Sequence, residues 1–380
     1  MSSPARPYIG GQALIEGVMM RSPHSFAMVC RKKSGELVVR ERPIADERKG
    51  IRAVPFLRGI ATLVESLRLG TEALRFSSEL FEADLEEEEA KEKARDAEKK
   101  AKRSLGNLLA ILSLPIVALA TRADDDAPPP PPAAKKKEEG NALGLVSMAL
   151  AMLVFIAAPQ AAANLVNKVF GLGYDLRAWQ FQLITGAMKL TVVVGYMMLL
   201  RQAEITRRVF QFHGAEHKTI STYEAEEALI VDNARKKTTL HARCGTTFLV
   251  MVAMVSVVVF SAIGPMLPKI GTLNGVWENV AFFFMKLPFI PVIAGITFEI
   301  QRLFARYCVT GPLRVLLWPG FLVQKITTIE PDDQQLEVAL ASLRATLWRE
   351  EARELAPAGV TDRSFKSYED FRGDPGYAAG

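Results

Sequence analysis

Three of the chain's four histidines fall between positions 213 and 241, and one of its three cysteines lies just beyond, at 244. His213 and His217 are four residues apart, so a helix places both imidazoles on one face. Glu216 falls on nearly the same face. H-x-x-E-H is the order of inverted zinc-peptidase motifs, in which the histidines bind metal and the glutamate polarises water. A catalytic zinc keeps three protein ligands and an open position. Here the third ligand would come from His241, Cys244, or one of Glu224, Glu226 and Glu227. His241 and Cys244 themselves form an i, i+3 pair of metal-competent groups. The chemistry expected of this cluster is hydrolysis with a divalent metal of the zinc type, with Glu216 as general base. Two other arrangements use the same residues. One is a set of hydrogen-bonding histidines that packs the loop. The other is a nucleophilic Cys244 activated by an imidazole.

Three further charged residues stand out. Glu16 is the only charge between Arg6 and Arg21, inside a Gly-rich apolar run. It reads either as a buried acid that serves the cluster or as a salt-bridge partner of Arg21, since buried charges are usually paired. Lys189 and Lys286 each interrupt a long apolar run. A basic side chain in such a run is costly in lipid, so it faces the bundle interior or snorkels. The pair implies an anionic partner: a protein carboxylate such as Glu299, an anionic lipid, or a substrate.

The elements that must position these residues are mostly apolar helices. No charged residue occurs from Gly140 to Asn167 or from Cys244 to Pro268. Ala178 to Leu200 holds only Lys189, and Asn279 to Phe298 holds only Lys286, with Pro288 and Pro291 as kink points. A hydrocarbon core of about 30 Å needs about 20 apolar residues in a helix, so the sequence predicts four transmembrane helices. The segment between the second and third, Arg201 to Arg243, carries eight Lys/Arg; the flanking loops on the other side carry three, Lys168, Arg177 and Lys269. The positive-inside rule then puts the His/Cys cluster and both termini in the cytoplasm, with the chain in the cell (inner) membrane. A straight continuation past Arg201 would carry His213 about 18 Å from the surface at ~1.5 Å per residue. The groups therefore meet only if the chain folds back at Gly214 or near Ser221.

Composition agrees. Hydrophobic residues make up 49% and charged residues 23%, with a mean hydropathy of +0.13, which fits only if the apolar residues are clustered. A net charge of +5 without a basic, aromatic-interleaved stripe predicts no nucleic-acid partner; the lipid bilayer is the expected one. Three scattered cysteines are no disulfide framework and fit a reducing compartment. No signal peptide is expected, because the first residues lack a basic region followed by an apolar core.

The predicted organisation is mainly α. Residues 8–80 form a small cytoplasmic α/β module, with a β-hairpin around Lys33-Ser34-Gly35 and a helix opened by Pro55 that lies on the membrane or covers the hairpin. Residues 81–140 are a charged, Pro-rich insert or linker in which 104–121 forms an interfacial or re-entrant helix. Residues 141–310 form the four-helix membrane domain with its cytoplasmic loop 201–245. Residues 311–350 are a C-terminal amphipathic segment, and 351–380 a disordered tail.

Four stretches carry a family resemblance: Arg208-Val-Phe-Gln-Phe-His213-Gly-Ala-Glu-His217-Lys218-Thr219, Ile9-Gly-Gly-Gln-Ala-Leu-Ile-Glu16-Gly-Val-Met-Met-Arg21, Leu240-His-Ala-Arg-Cys244-Gly-Thr-Thr247 and Thr328-Ile-Glu-Pro-Asp-Asp-Gln-Gln-Leu-Glu337. Together they resemble the YqhQ-like family of bacterial multi-pass membrane proteins, known by domain of unknown function 1385, over roughly residues 8–80 and 141–345. The resemblance implies an integral membrane protein and a metal-dependent enzyme. Residues 82–140 and those after 351 depart from the family pattern and carry no motif. The competing expectation is a non-enzymatic protein: a scaffold, an assembly factor or a lipid- or solute-handling protein whose His/Cys cluster is structural.

Overall fold

Strands covered on both faces read as unbroken apolar runs, without the alternation of a half-buried sheet. Two such runs occur early in the chain, and the computed structural model shows why. It describes residues 6–44, 57–95, 150, 153–269, 276–308, 311–352 and 359–377. Strands β1 (Gly10–Leu14), β2 (Gly17–Arg21), β3 (Ser25–Arg31) and β4 (Leu37–Pro43) form an antiparallel meander. The long helix α1 (Leu57–Arg95) lays Leu69, Ala73 and Phe76 on one face of it, against Met19, Phe26, Met28 and Val38. The expected hairpin is thus two strands of a larger sheet, and the helix after Pro55 covers that sheet.

Past α1 come α2 (Ala158–Val169), preceded by a π-helical turn at Leu153–Ala157, and then α3 (Trp179–Leu200). The motif helix α4 (Glu204–Glu224), the short α5 (Val231–Arg235) and α6 (Gly245–Ile263) follow. Helices α7 (Val276–Lys286) and α8 (Ile290–Tyr307) are joined by a tight turn at Leu287–Phe289, where Pro288 and Pro291 interrupt the helical hydrogen bonds. Three segments among the described residues are long and apolar enough to cross a membrane: Trp179–Leu200, Gly245–Met266 and Trp277–Phe304. Much of their apolar surface faces outward, including Trp179, Val258 and Trp277. The fourth expected span, Gly140 to Asn167, is described only at residue 150 and from residue 153 onward. The expected helix at 104–121 and the Pro-rich linker lie outside the described residues.

Helix α9 (Trp318–Thr327) leads into α10 (Asp333–Glu351). A capping box opens α10: Asp332 accepts from the Gln335 backbone, and the Gln335 side chain reaches back to the Asp332 N–H. The amphipathic helix expected at its position is instead buried almost all round. One side packs Leu336, Ala339, Leu340 and Leu343 on the second face of the sheet, against Val18, Met20, Ala27 and Val29. The other side meets α4 and α5. Polar positions on it are used inside the core, as when Arg344 donates to the Leu229 carbonyl.

The disordered tail is also corrected. Strand β5 (Thr361–Phe365) pairs antiparallel with β4 from Leu37↔Phe365 to Glu41↔Thr361, and α11 (Tyr368–Gly373) follows. Phe371 and Tyr377 are fully buried, and their rings stack with centroids 4.6 Å apart. Because these scattered aromatic residues lack helical or strand periodicity, only their tertiary partners reveal them. Removing a buried phenylalanine ring costs about 3–5 kcal/mol. Phe371→Ala should therefore lower the thermal unfolding midpoint of the purified chain clearly, whereas a substitution in a disordered tail would leave it unchanged.

Candidate metal centre

The motif helix does not plunge along the direction of α3. The chain breaks at Arg201–Ala203 and restarts as α4, whose first turn begins at Glu204. Nor does it fold back at Gly214 or Ser221, as the sequence suggested: α4 runs unbroken to Glu224. The reversal comes after it, through Glu226 in a left-handed conformation (φ 59°), then α5, then residues 236–244. Gly214 has a different task. A Cβ there would lie 2.1 Å from the Ile329 carbonyl oxygen. The segment after α9 runs directly against the α4 backbone, and the Ile329 N–H donates to the Phe210 carbonyl at 2.9 Å.

This docking sets the histidines. His213 Nδ1 donates to the Thr327 carbonyl at 2.9 Å, and His217 Nδ1 donates to the Thr239 carbonyl. A carbonyl can only accept, so Nδ1 of each ring carries its proton and each Nε2 is turned toward the cluster. Backbone carbonyls of this kind fix the tautomer and orientation of metal-binding histidines. His213 Nε2 lies 3.1 Å from Cys244 Sγ. One donor atom from each of His213, His217 and Cys244 lies within 4.8 Å of the others, so the trio could hold a metal ion.

Cys244 is the N-cap of α6, and its sulfur accepts from the Thr246 N–H. The positive end of a helix favours a thiolate. Burial opposes ionisation of Cys244, but His213 and His217 together outweigh it and hold the thiol well below its ordinary range. Burial likewise opposes charge on His213, yet the Cys244 sulfur, its hydrogen bond and Glu216 raise that imidazole to about 9. Each group thus favours the charged form of the other, an imidazolium at His213 facing a thiolate at Cys244. The loop holding Cys244 is pinned by Gln324 of α9, which accepts from the His241 N–H at 2.8 Å and donates to the His241 carbonyl and Thr247 Oγ1, both at 2.7 Å. From α8, Gln301 donates to the Cys244 carbonyl.

Glu216 is 5% exposed and has no hydrogen-bond partner among the described residues. Burial pushes its carboxyl up, and His213 and His217 pull it back down. Space for it is made by Gly11 of β1, where a Cβ would lie 2.8 Å from the Glu216 carboxylate. The sequence reading missed this role of the N-terminal strand. The available signal was Gly10-Gly11 within a strand, which marks close approach of another group.

The structure does not bring every candidate together. His241 Nε2 faces Glu224 at 3.3 Å instead of joining the trio, and burial lowers its pKa. Glu224 also pairs with Arg243, whose guanidinium lies 4.7 Å over the Tyr8 ring. Glu226 and Glu227 pair with Arg6 and Lys237 respectively. Glu16 neither enters the cluster nor pairs with Arg21. It occupies the β1–β2 turn with φ 52° and grips Arg208 of α4 with both oxygens, while Arg21 faces Glu65. Lys189 and Lys286 lie apart from the trio, among α3, α6 and α7, and Glu299 pairs with Arg58 of α1 at 2.7 Å.

A side chain at position 214 must displace Ile329. Overpacking of this kind costs about 1–3 kcal/mol. Gly214→Ala should lower the unfolding midpoint accordingly. Gly195→Ala, where open space surrounds the site of a new Cβ, should leave it unchanged or raise it.

Two comparisons bear on this chain. A family model described as "Protein of unknown function (DUF1385)" matches residues 54–349. The "Uncharacterized protein YqhQ" of Bacillus subtilis (strain 168) is 31% identical over 343 residues, covering 90% of this chain and 92% of that one. No solved structure matches.

Proposed function

The chain belongs to the DUF1385 family, proteins of unknown function, and its own residues carry the functional reading. We propose that it is an integral membrane protein of the cell (inner) membrane that holds a divalent ion of the zinc class at the cytoplasmic face and acts as a hydrolase.

The observation that carries this reading is the donor set. Two imidazoles have Nδ1 committed to backbone carbonyls and Nε2 directed at a thiolate capping a helix. Three protein ligands of nitrogen and sulfur suit zinc and leave a coordination position for substrate. His213, His217 and Cys244 would hold the ion, and a bound ion supplies Lewis acidity for hydrolysis. Beside them Glu216 offers a buried carboxylate with no hydrogen-bond partner among the described residues, able to take a proton from water and pass it to a leaving group. The thiolate–imidazolium pair supports a second reading, a structural or nucleophilic Cys–His site in a non-enzymatic or thiol-dependent protein.

Chain parity supports an even number of spans. Strand β5, near the C-terminal end, completes the sheet begun by β1–β4, so both ends of the chain share one side. Helix α4 packs on β1, β2 and α10, which puts the connection from α3 to α6 on that side as well. If α3, α6 and the α7–α8 segment each cross the bilayer, one more crossing is required between α1 and α3. Residues from about 140 to Val169 supply the apolar length. The eight Lys/Arg between Arg201 and Arg243 favour the cytoplasm for this side.

Elemental analysis of the detergent-purified chain after metal-replete growth tests the reading. Stoichiometric zinc-class metal is expected in the wild type and in Glu216→Gln, with loss in His213→Ala/His217→Ala and in Cys244→Ala. Glu216→Gln should retain the metal yet lower hydrolytic turnover by about 10²–10⁴-fold, the usual worth of a general base. A wild type free of metal would sink the metallohydrolase and leave the Cys–His reading.

A further inference from the structure

Two lysines inside the apolar helices have no carboxylate partner among the described residues. Lys286 is 5% exposed; its Nζ donates to Gln182 Oε1 of α3 at 2.9 Å and sits 4.2 Å from the Phe282 ring centroid. Lys189 Nζ lies 5.8 Å from the Phe260 centroid, and Lys286 Nζ lies 5.1 Å from the same ring. Neither lysine is ion-paired among the described residues. The acids nearest Lys286 in sequence are committed elsewhere, Glu278 to Arg177 at 2.8 Å and Glu299 to Arg58, and Asp175, the acid nearest Lys189, pairs with Lys269 at 2.6 Å.

We propose that Lys189 and Lys286 form an intramembrane oxyanion site that takes a phosphate group between α3, α6 and α7. Two ammonium groups sharing one aromatic ring repel each other, and the low-dielectric surroundings strengthen that repulsion. Ring faces attract cations but do not cancel their charge. Each ammonium has three N–H donors. Gln182 takes one from Lys286, and Lys189 has no hydrogen bond among the described residues. The remaining donors need several acceptor oxygens in one place, which a phosphate provides and a halide does not. Basic residues at membrane depth usually mark such a partner or a transport route. The site is separate from the trio at the start of α6: Phe260 lies four turns along that helix from Cys244.

The proposal rests on the reading of α3, α6 and α7–α8 as membrane spans. That reading is tested separately, by whether alkaline carbonate releases the full chain from membranes. The phosphate site is tested on the purified chain. Wild type and Lys189→Gln/Lys286→Gln are compared in two ways: native mass spectrometry for co-purified phosphatidylglycerol, and thermal unfolding of delipidated chain titrated with inorganic phosphate against chloride at equal ionic strength. A retained phosphatidylglycerol assigns the site to a lipid phosphate. An upward midpoint shift with phosphate alone assigns it to free phosphate. Either signal should vanish in the double variant and persist in Lys189→Arg/Lys286→Arg. Equal signals in wild type and the Gln variant, or no signal in either arm, would overturn the proposal. Should the double variant fail to fold, Lys189→Gln alone removes an ammonium that has no hydrogen bond to lose and decides the same question.

Discussion

The α4 backbone at Gly214 runs directly against the carbonyl of Ile329, whose oxygen would lie 2.1 Å from any Cβ placed there. Only a residue without a side chain lets the two chains approach this closely. The consequences run in both directions along the sequence. Upstream, Thr327 presents its carbonyl to His213 and Gln324 reaches the Cys244 loop. Downstream, Glu330 pairs with Lys218, Asp333 with Arg235, and Asp332 caps the helix that forms one wall of the sheet core. The end of α9 and the five residues after it therefore fix both the ligand geometry and the start of the main core helix. This explains why the Thr328–Glu337 run reads as a motif although none of its side chains enters the cluster.

Electrostatics at the cluster follow from the same arrangement. A thiolate, an imidazolium and a carboxylate are each expensive to bury alone. Here the costs offset one another. Cys244 gains from the α6 N-terminus and from two imidazoles, and His213 gains from the sulfur and from Glu216. Glu216 gains least: it feels the charges of the histidines but has no hydrogen-bond donor among the described residues. A buried acid left in that state is where a proton can be held and released, and an arrangement optimised for stability alone would have given it a hydrogen bond.

The sequence made some of this legible and hid the rest, for definable reasons. The i, i+4 histidines and the apolar helices are local patterns, and spacing alone exposes them. His213, His217 and Cys244 do converge. His241 looked equivalent to Cys244 in spacing, yet its ring is turned to Glu224, because Gln324 fixes the backbone of that loop and with it the direction of the side chain. Glu16 was visible as an isolated charge, but its partner Arg208 is 192 residues away and no local rule could have named it. The strand at Thr361–Phe365 was hidden because a polar edge strand with one or two apolar contacts differs little from a linker. The uniform burial of α10 was hidden too, since the polar residues on its second face are buried by partners such as Leu229 that periodicity cannot reveal.

The architecture also bears on how such a site would respond to its surroundings. The two histidines belong to a helix packed on the sheet layer, while the cysteine caps a helix that leads into the apolar bundle. Gln301 and Gln324 tie the cysteine loop to α8 and α9, and within the sheet half Gly11 lets β1 rest on Glu216. A shift of the apolar bundle relative to the sheet would change the Nε2–Sγ separation before it altered either half internally, because packed cores resist deformation more than their interfaces do. Ligand sets contributed by one rigid element report only on that element. This one is divided between two, so its geometry depends on how the bundle and the sheet layer are docked.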